Sequence, residues 1–225
     1  SMNAQMDDNS SGCSATGNYS VAMGFGTTAG GYASTAMGRG TTASGWASTA
    51  SGWYSTASGD YSTAMGRGTT ASGWYSTAMG SNTTADGNYS TAMGNGTSAN
   101  GNYSTAMGRD TQASAAYSTA MGDNTSANGN YSTAMGQFTT ASGNFSTAMG
   151  ESTKASGNSS TAMGESTQAS DYGSLVIGQY NSSGSTVTNS ATVFSTANTA
   201  FVIGNGTNSS NTSDAFKVMF NGDAT

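Results

Sequence analysis

The sequence predicts an all-β fold, a β-solenoid of fourteen-residue coils, and three observations predict it. A glycine recurs every seventh residue from Gly17 to Gly108 and again from Gly122, with Ala115 and Asp171 the departures before Gly178. Between the glycines two kinds of heptad alternate, one of the form x-Y-S-T-A-M-G and one of the form x-x-T-T-A-S-G. Seven residues closed by glycine are too few for a helix and a turn, whereas Thr, Tyr and Val favour extended backbone. Each half therefore suits a four- or five-residue strand followed by a tight turn in which glycine takes positive φ. Stacking such coils through parallel ladders gives the solenoid.

The composition agrees with a repeat and excludes several classes of function. The chain of 225 residues has 33 Gly, no Pro, no His and 7% charged residues. Low complexity of this kind can mean disorder, but a disordered linker has no reason to keep register over a dozen units. A glycine period of seven without proline is not that of collagen. A net charge of −6 with only Arg39, Arg67, Arg109, Lys154 and Lys217 as cations argues against a nucleic-acid surface or an anionic membrane. No run of eighteen apolar residues is present, so no direct membrane contact is expected of this stretch.

Residues 1–10 carry no period and are expected to be a flexible start or linker, and Ser1 and Met2 look like an expression scar. Residues 11–178 are the repeats. Cys13 falls where later coils have Thr27, Thr41 and Thr69, which makes it a small packed residue. A reactive thiol is the alternative, with no His to activate it.

Strand alternation assigns the faces. In STAMG, Ser and Ala share one face, Thr and Met the other. The second heptad repeats Ala at Ala29, Ala43, Ala71 and onward, so two Ala columns face each other across a thin interior. Such an interior buries little apolar area, at about 25 cal/mol per Å². The opposite face carries Met23, Met37, Met65, Met79, Met93, Met107, Met121, Met135, Met149 and Met163, interrupted at Ser51 and ended by Ile177. A stripe of this size is an association surface on any monomer and is expected to be buried in an oligomer. A soft-metal ladder is the alternative reading of the thioethers.

A second ladder runs through Tyr19, Tyr61, Tyr75, Tyr89, Tyr103, Tyr117 and Tyr131 to Phe145. Stacked aromatics supporting the coils explain it, and a carbohydrate-binding strip is the sharper reading. Trp46, Trp53 and Trp74 are the candidate ligand surface. Trp46 and Trp53 belong to the irregular coil WASTASGWYSTASG, 46–59, which lacks the Met, and Trp74 follows them in the N-terminal half. Residues 179–225 lose the period. Phe216, Val218 and Phe220 alternate in AFKVMF, and NGD at 221–223 is a turn signal, so this end reads as a cap and a junction to whatever follows.

The segments NYSVAMG (18–24), SLVIG (174–178) and AFVIG (200–204) resemble the SVAIG motif of YadA-like head repeats in trimeric autotransporter adhesins. The resemblance implies a left-handed parallel β-roll assembled as a homotrimer, with the motif's Val and Ile facing the threefold axis. Carried over by position, the axial places fall to Val21 and Met23, Thr35 and Met37, Thr63 and Met65, the later Met positions, Ile177, and Phe201 with Ile203. Most coils here have Thr and Met where the family has Val and Ile, which implies a more polar and flexible axial core. The C-terminal segment also looks like the stretch leading to a neck or stalk.

No catalytic constellation is present, since acid–base and nucleophilic catalysis need His, a tuned carboxylate pair or an activating base, and the acids are scattered singly. No cofactor or metal is expected. The resemblance implies a trimeric extracellular adhesin head. It would be held at a cell surface through an outer-membrane anchor outside this stretch, or on a viral or other fibre, and would contact an extracellular matrix protein or a surface glycan. Two alternatives stand beside it. One is an ice-binding solenoid using the outward column Thr28, Thr42, Thr56, Thr70 and Thr84, which later coils break with Gln112, Lys154 and Gln168. The other is a passive spacer.

Overall fold

The computed structural model describes residues 4–6 and 12–225. It is all-β, with no helix among those residues, and along the chain it forms about twelve coils of a parallel β-solenoid. Two compact units are distinguished, Ser1–Asp110 and Thr111–Thr225.

In the first unit each coil contributes one five-residue strand, as in Thr77–Ser81, and one two-residue strand, as in Thr84–Ala85. Like pairs with like in parallel: Met79 stands opposite Met65 and Met93, and Ala85 opposite Ala71 and Ala99. The second unit repeats the pattern, with Met135 opposite Met121 and Met149. The second strand of each coil is shorter than the four or five residues expected, because a turn closes in on it from both sides and leaves only its Thr-Ala pair extended. Of the segment 1–10, residues Ala4–Met6 form a strand paired with Val21–Met23. The rest of that segment lies outside the described residues.

Alternation sets the interior as expected. Ala78 and Ala85 are fully buried, as is every Ala of both columns from Ala22 to Ala169. Ser76 and Thr83 stand beside them, so hydroxyls line the interior too. Ser62 Oγ donates to the carbonyl of Gly59 at 2.6 Å, whereas Thr69, Thr83 and Thr97 have buried Oγ1 atoms with no partner among the described residues. A buried hydroxyl without a partner costs about 1–3 kcal/mol. An interior of methyls and stranded hydroxyls is therefore a weak source of stability, and the parallel ladders carry much of the coil.

Glycine plays two parts, and only one was expected. Gly80 has φ 122°, and a Cβ there would also run into the carbonyl of Gly94. Gly73 has no positive φ; its Cβ would meet the carbonyl of Gly87 in the next coil, so close stacking alone demands glycine. Positive φ instead falls on the residue before Ser in the turn, Tyr75 at 54° and Tyr89 at 57°.

The C-terminal end of the second unit is a cap with larger side chains. Strand Thr199–Asn205 pairs in parallel with Leu175–Gln179, placing Phe201 opposite Leu175 and Ile203 opposite Ile177. Strand Asp214–Met219 returns antiparallel, with Phe216 opposite Ile203 and Val218 opposite Phe201. Val176 and Val202 replace the interior Ala. At the expected turn, Lys217 and Thr225 exchange backbone hydrogen bonds at 2.8 and 2.9 Å around Gly222, which has φ 93°.

Candidate functional site

Three surface features arise from the coil geometry. The first is the outer face of the five-residue strands. With Ala inward, Thr and Met point outward, and the parallel register aligns them into a column within each unit. Val21, Met23, Thr35, Met37, Thr63, Met79, Met93 and Met107 are half-buried and Met65 is 40% exposed. In the second unit Met121, Met135, Met149, Met163 and Ile177 are likewise half-buried, and Phe201 and Ile203 continue their column beyond the inserted loop.

The second feature is the tyrosine ladder at the turn before the long strand. Tyr61, Tyr75, Tyr89 and Tyr103 stack with ring centroids 4.7–5.0 Å apart and planes within 6°. In the second unit Tyr117, Tyr131 and Phe145 stack at 4.7 and 4.9 Å. Left-handed backbone costs a residue of this kind about 1–2 kcal/mol. Aromatic pairing returns about 0.5–1.5 kcal/mol, which explains how so many Tyr tolerate the conformation. Each ring face within the stack covers the next, so edges and hydroxyls are what the ladder offers to solvent.

Beside the ladder runs an asparagine column that the heptad pattern, with its variable first position, did not reveal. Asn88 Oδ1 accepts the amide of Trp74 at 2.9 Å, and Asn102 Oδ1 that of Asn88 at 3.0 Å. Asn144 and Asn158 do the same for Asn130 and Asn144 in the second unit. Asp60 fills the role for Trp46 at 2.8 Å. The recurrence of Asn before Tyr at fourteen-residue steps was the available signal.

The third feature is the opposite turn, at the end of the long strand. Phe25, Arg39, Trp53 and Arg67 occupy one column. The Arg39 guanidinium lies 5.5 Å from the Phe25 ring and 5.8 Å from that of Trp53, and Arg67 lies 5.4 Å from Trp53. Trp46 and Trp74 are elsewhere, on the turn before the long strand, where Trp46 packs edge-on against Tyr32 and tilted against Tyr61. The three exposed tryptophans thus divide between two edges of the coil instead of forming one surface.

Two carboxylates organise the cap. Asp171, fully buried, accepts the amides of Thr188 and Thr199. Asp214 accepts the amides of Ser182 and Ser183 and the Ser182 hydroxyl at 2.8–2.9 Å. Partial burial alone raises its pKa, but the hydrogen bonds from Ser183 and Ser182 outweigh that and leave it below the ordinary value. Cys13 is buried, packed against Thr27 and the Gly24 carbonyl, in the small-residue column predicted for it.

Repeated ladders on a solenoid define a structural repeat protein. The profile of the YadA head domain repeat (2 copies) matches residues 15–41, 43–69, 57–80, 71–97, 99–125, 127–152 and 155–181, and the chain belongs to this family. That family is of adhesin type, surface-exposed and structural in character rather than catalytic. No curated protein matches the chain.

Proposed function

We propose that this chain is the head of a trimeric adhesin, three rolls packing through their Thr/Met columns and presenting their edges to an extracellular matrix protein or a surface glycan. The single observation that carries the reading is the in-register column of half-buried Met on the outer face of each unit's long strands. The thioethers of this column, present in each coil from Met23 to Met163 except the one with Ser51, gain from burial against a second copy, about 25 cal/mol per Å² removed from water. The weak interior supports the same conclusion, since a roll filled with Ala and unpartnered hydroxyls has most to gain from assembly. In its native setting the head stands outside the cell, held by an outer-membrane anchor beyond this stretch.

Light scattering tests the assembly: a mass of three chains is expected, and a monodisperse monomer overturns it. Attachment of the isolated chain to cells separates an adhesin from a spacer. Thermal hysteresis in the same preparation would instead favour ice binding by the outward Thr28, Thr42, Thr56, Thr70 and Thr84.

A further inference from the structure

We infer that the edge built by Arg39, Trp53, Tyr54 and Arg67 is a binding site for an anionic polysaccharide, one bearing sulfate or carboxylate groups along a sugar chain. The inference rests on the adhesin reading for its setting and on the geometry of one edge for its chemistry. All three arginines of the chain, Arg39, Arg67 and Arg109, fall at the last position of a long strand, in a protein whose net charge is −6. Neither Arg39 nor Arg67 has a carboxylate partner among the described residues; each guanidinium is held instead against the indole of Trp53. Stacking of this kind fixes the fork without using its outward N–H donors, which suits bidentate capture of sulfate or carboxylate.

The spacing fits a polymer better than a single anion. Arg39 and Arg67 are two coils apart, about 9.5 Å at the usual strand separation, so two acidic groups on successive disaccharides meet two forks. Between them the apolar surface comes from Trp53 and Tyr54, 43% and 57% exposed, with ring centroids 6.0 Å apart. The Tyr54 ring occupies the space over Gly40, where a Cβ would lie 2.6 Å from it, so the missing side chain makes room for the ring. Sugar C–H faces pack on such rings while the forks take the acids.

In the second unit the last position of the long strand is acidic or an amide. There it carries Asp123, Gln137, Glu151, Glu165 and Gln179. The acidic second unit disfavours a densely and uniformly charged strand such as nucleic acid.

Isothermal titration of the whole chain tests the site with two probes, a heparin-type sulfated hexasaccharide and a hyaluronan hexasaccharide bearing carboxylates alone. Saturable binding of either supports the site and says which acid it takes. The R39Q/R67Q double variant is expected to lose about tenfold or more in affinity, R39K/R67K to recover only part of it because Lys lacks the fork, and K154Q to bind as the parent does. Absence of binding to both probes, undiminished binding by R39Q/R67Q, or tighter binding of a ten-nucleotide oligothymidine overturns the inference. A chain that assembles and attaches to cells yet ignores both probes overturns this site and leaves the adhesin reading standing. One that binds them but never attaches to cells overturns the adhesin reading alone.

Discussion

The buried carboxylate of Asp171 accepts the backbone amide of Thr199 at 2.7 Å through one oxygen while the other takes the amide of Thr188 at 2.6 Å. Asp171 stands where the heptad pattern has glycine, so the position that breaks the beat is the one that ties the inserted loop and the cap strand to the last regular coil. An Asp171→Asn variant keeps one acceptor and turns an N–H₂ toward the other amide. A loss of about 2 kcal/mol and faster hydrogen exchange at the Thr188 and Thr199 amides are expected. Asp171→Gly, which restores the heptad, is expected to destabilise the cap and not to improve it. Unchanged exchange in both variants would remove Asp171 from this role.

Two alanine substitutions in the first unit separate close stacking from mere positive φ. Gly80 combines φ 122° with a blocked Cβ direction toward the Gly94 carbonyl, whereas Gly26 has φ 61° with nothing near its Cβ. Gly80→Ala should cost about 3 kcal/mol or more, since coil spacing must give way. Gly26→Ala should cost about 1 kcal/mol. Chemical denaturation of the two proteins measures the difference, and equal losses would show that coil stacking is not what holds the glycine column.

Met107 tests the assembly face. Placing Asp there in a trimer would gather three carboxylates near one axis, where burial and mutual repulsion both oppose ionisation. Met107→Asp is expected to lower the mass in solution from three chains to one. Met107→Leu, of similar volume, should keep the trimer within about 1.5 kcal/mol of the parent's stability. A trimer unaffected by the aspartate would place the column in solvent.

The cap should respond to acid through Asp214. Its carboxyl is depressed below the usual value of 3.8 because the hydrogen bonds from Ser183 and Ser182 outweigh the effect of burial. A depressed folded-state pKa contributes stability that is fully present above the unfolded value and is lost as pH falls through the folded one. Amide exchange at Ser182 and Ser183, corrected for intrinsic rates, should therefore accelerate below about pH 4. In Asp214→Asn that acid-dependent step should disappear, and its persistence would assign the effect to another group.

Much of this surface was legible in the residues because a strict repeat turns sequence position into spatial position. Ala and Ser inward, Thr and Met outward, and Cys13 packed among the threonines all follow from period two within a strand and period fourteen between coils. The tyrosine ladder was visible as a column, but its left-handed backbone was not, because nothing local favours that conformation for Tyr and only ring stacking sustains it. The asparagine column went unread because its benefit lies in the amide of a neighbouring coil. The tryptophans misled as a group: Trp46 and Trp53 are close in sequence yet lie at opposite ends of one long strand, Thr49–Trp53.

By itself the sequence determined the coil, its length, its two faces and its kinship, since each depends on periodicity and on the few residues small enough for a thin interior. Only the tertiary structure decided which variable positions meet. Parallel stacking in register sets residues fourteen apart side by side, and that contact turns Arg39, Trp53 and Arg67 into one cationic–aromatic edge. The hydrogen bonds of Asp171 likewise depend on a loop that returns to the coil at a distance no repeat encodes.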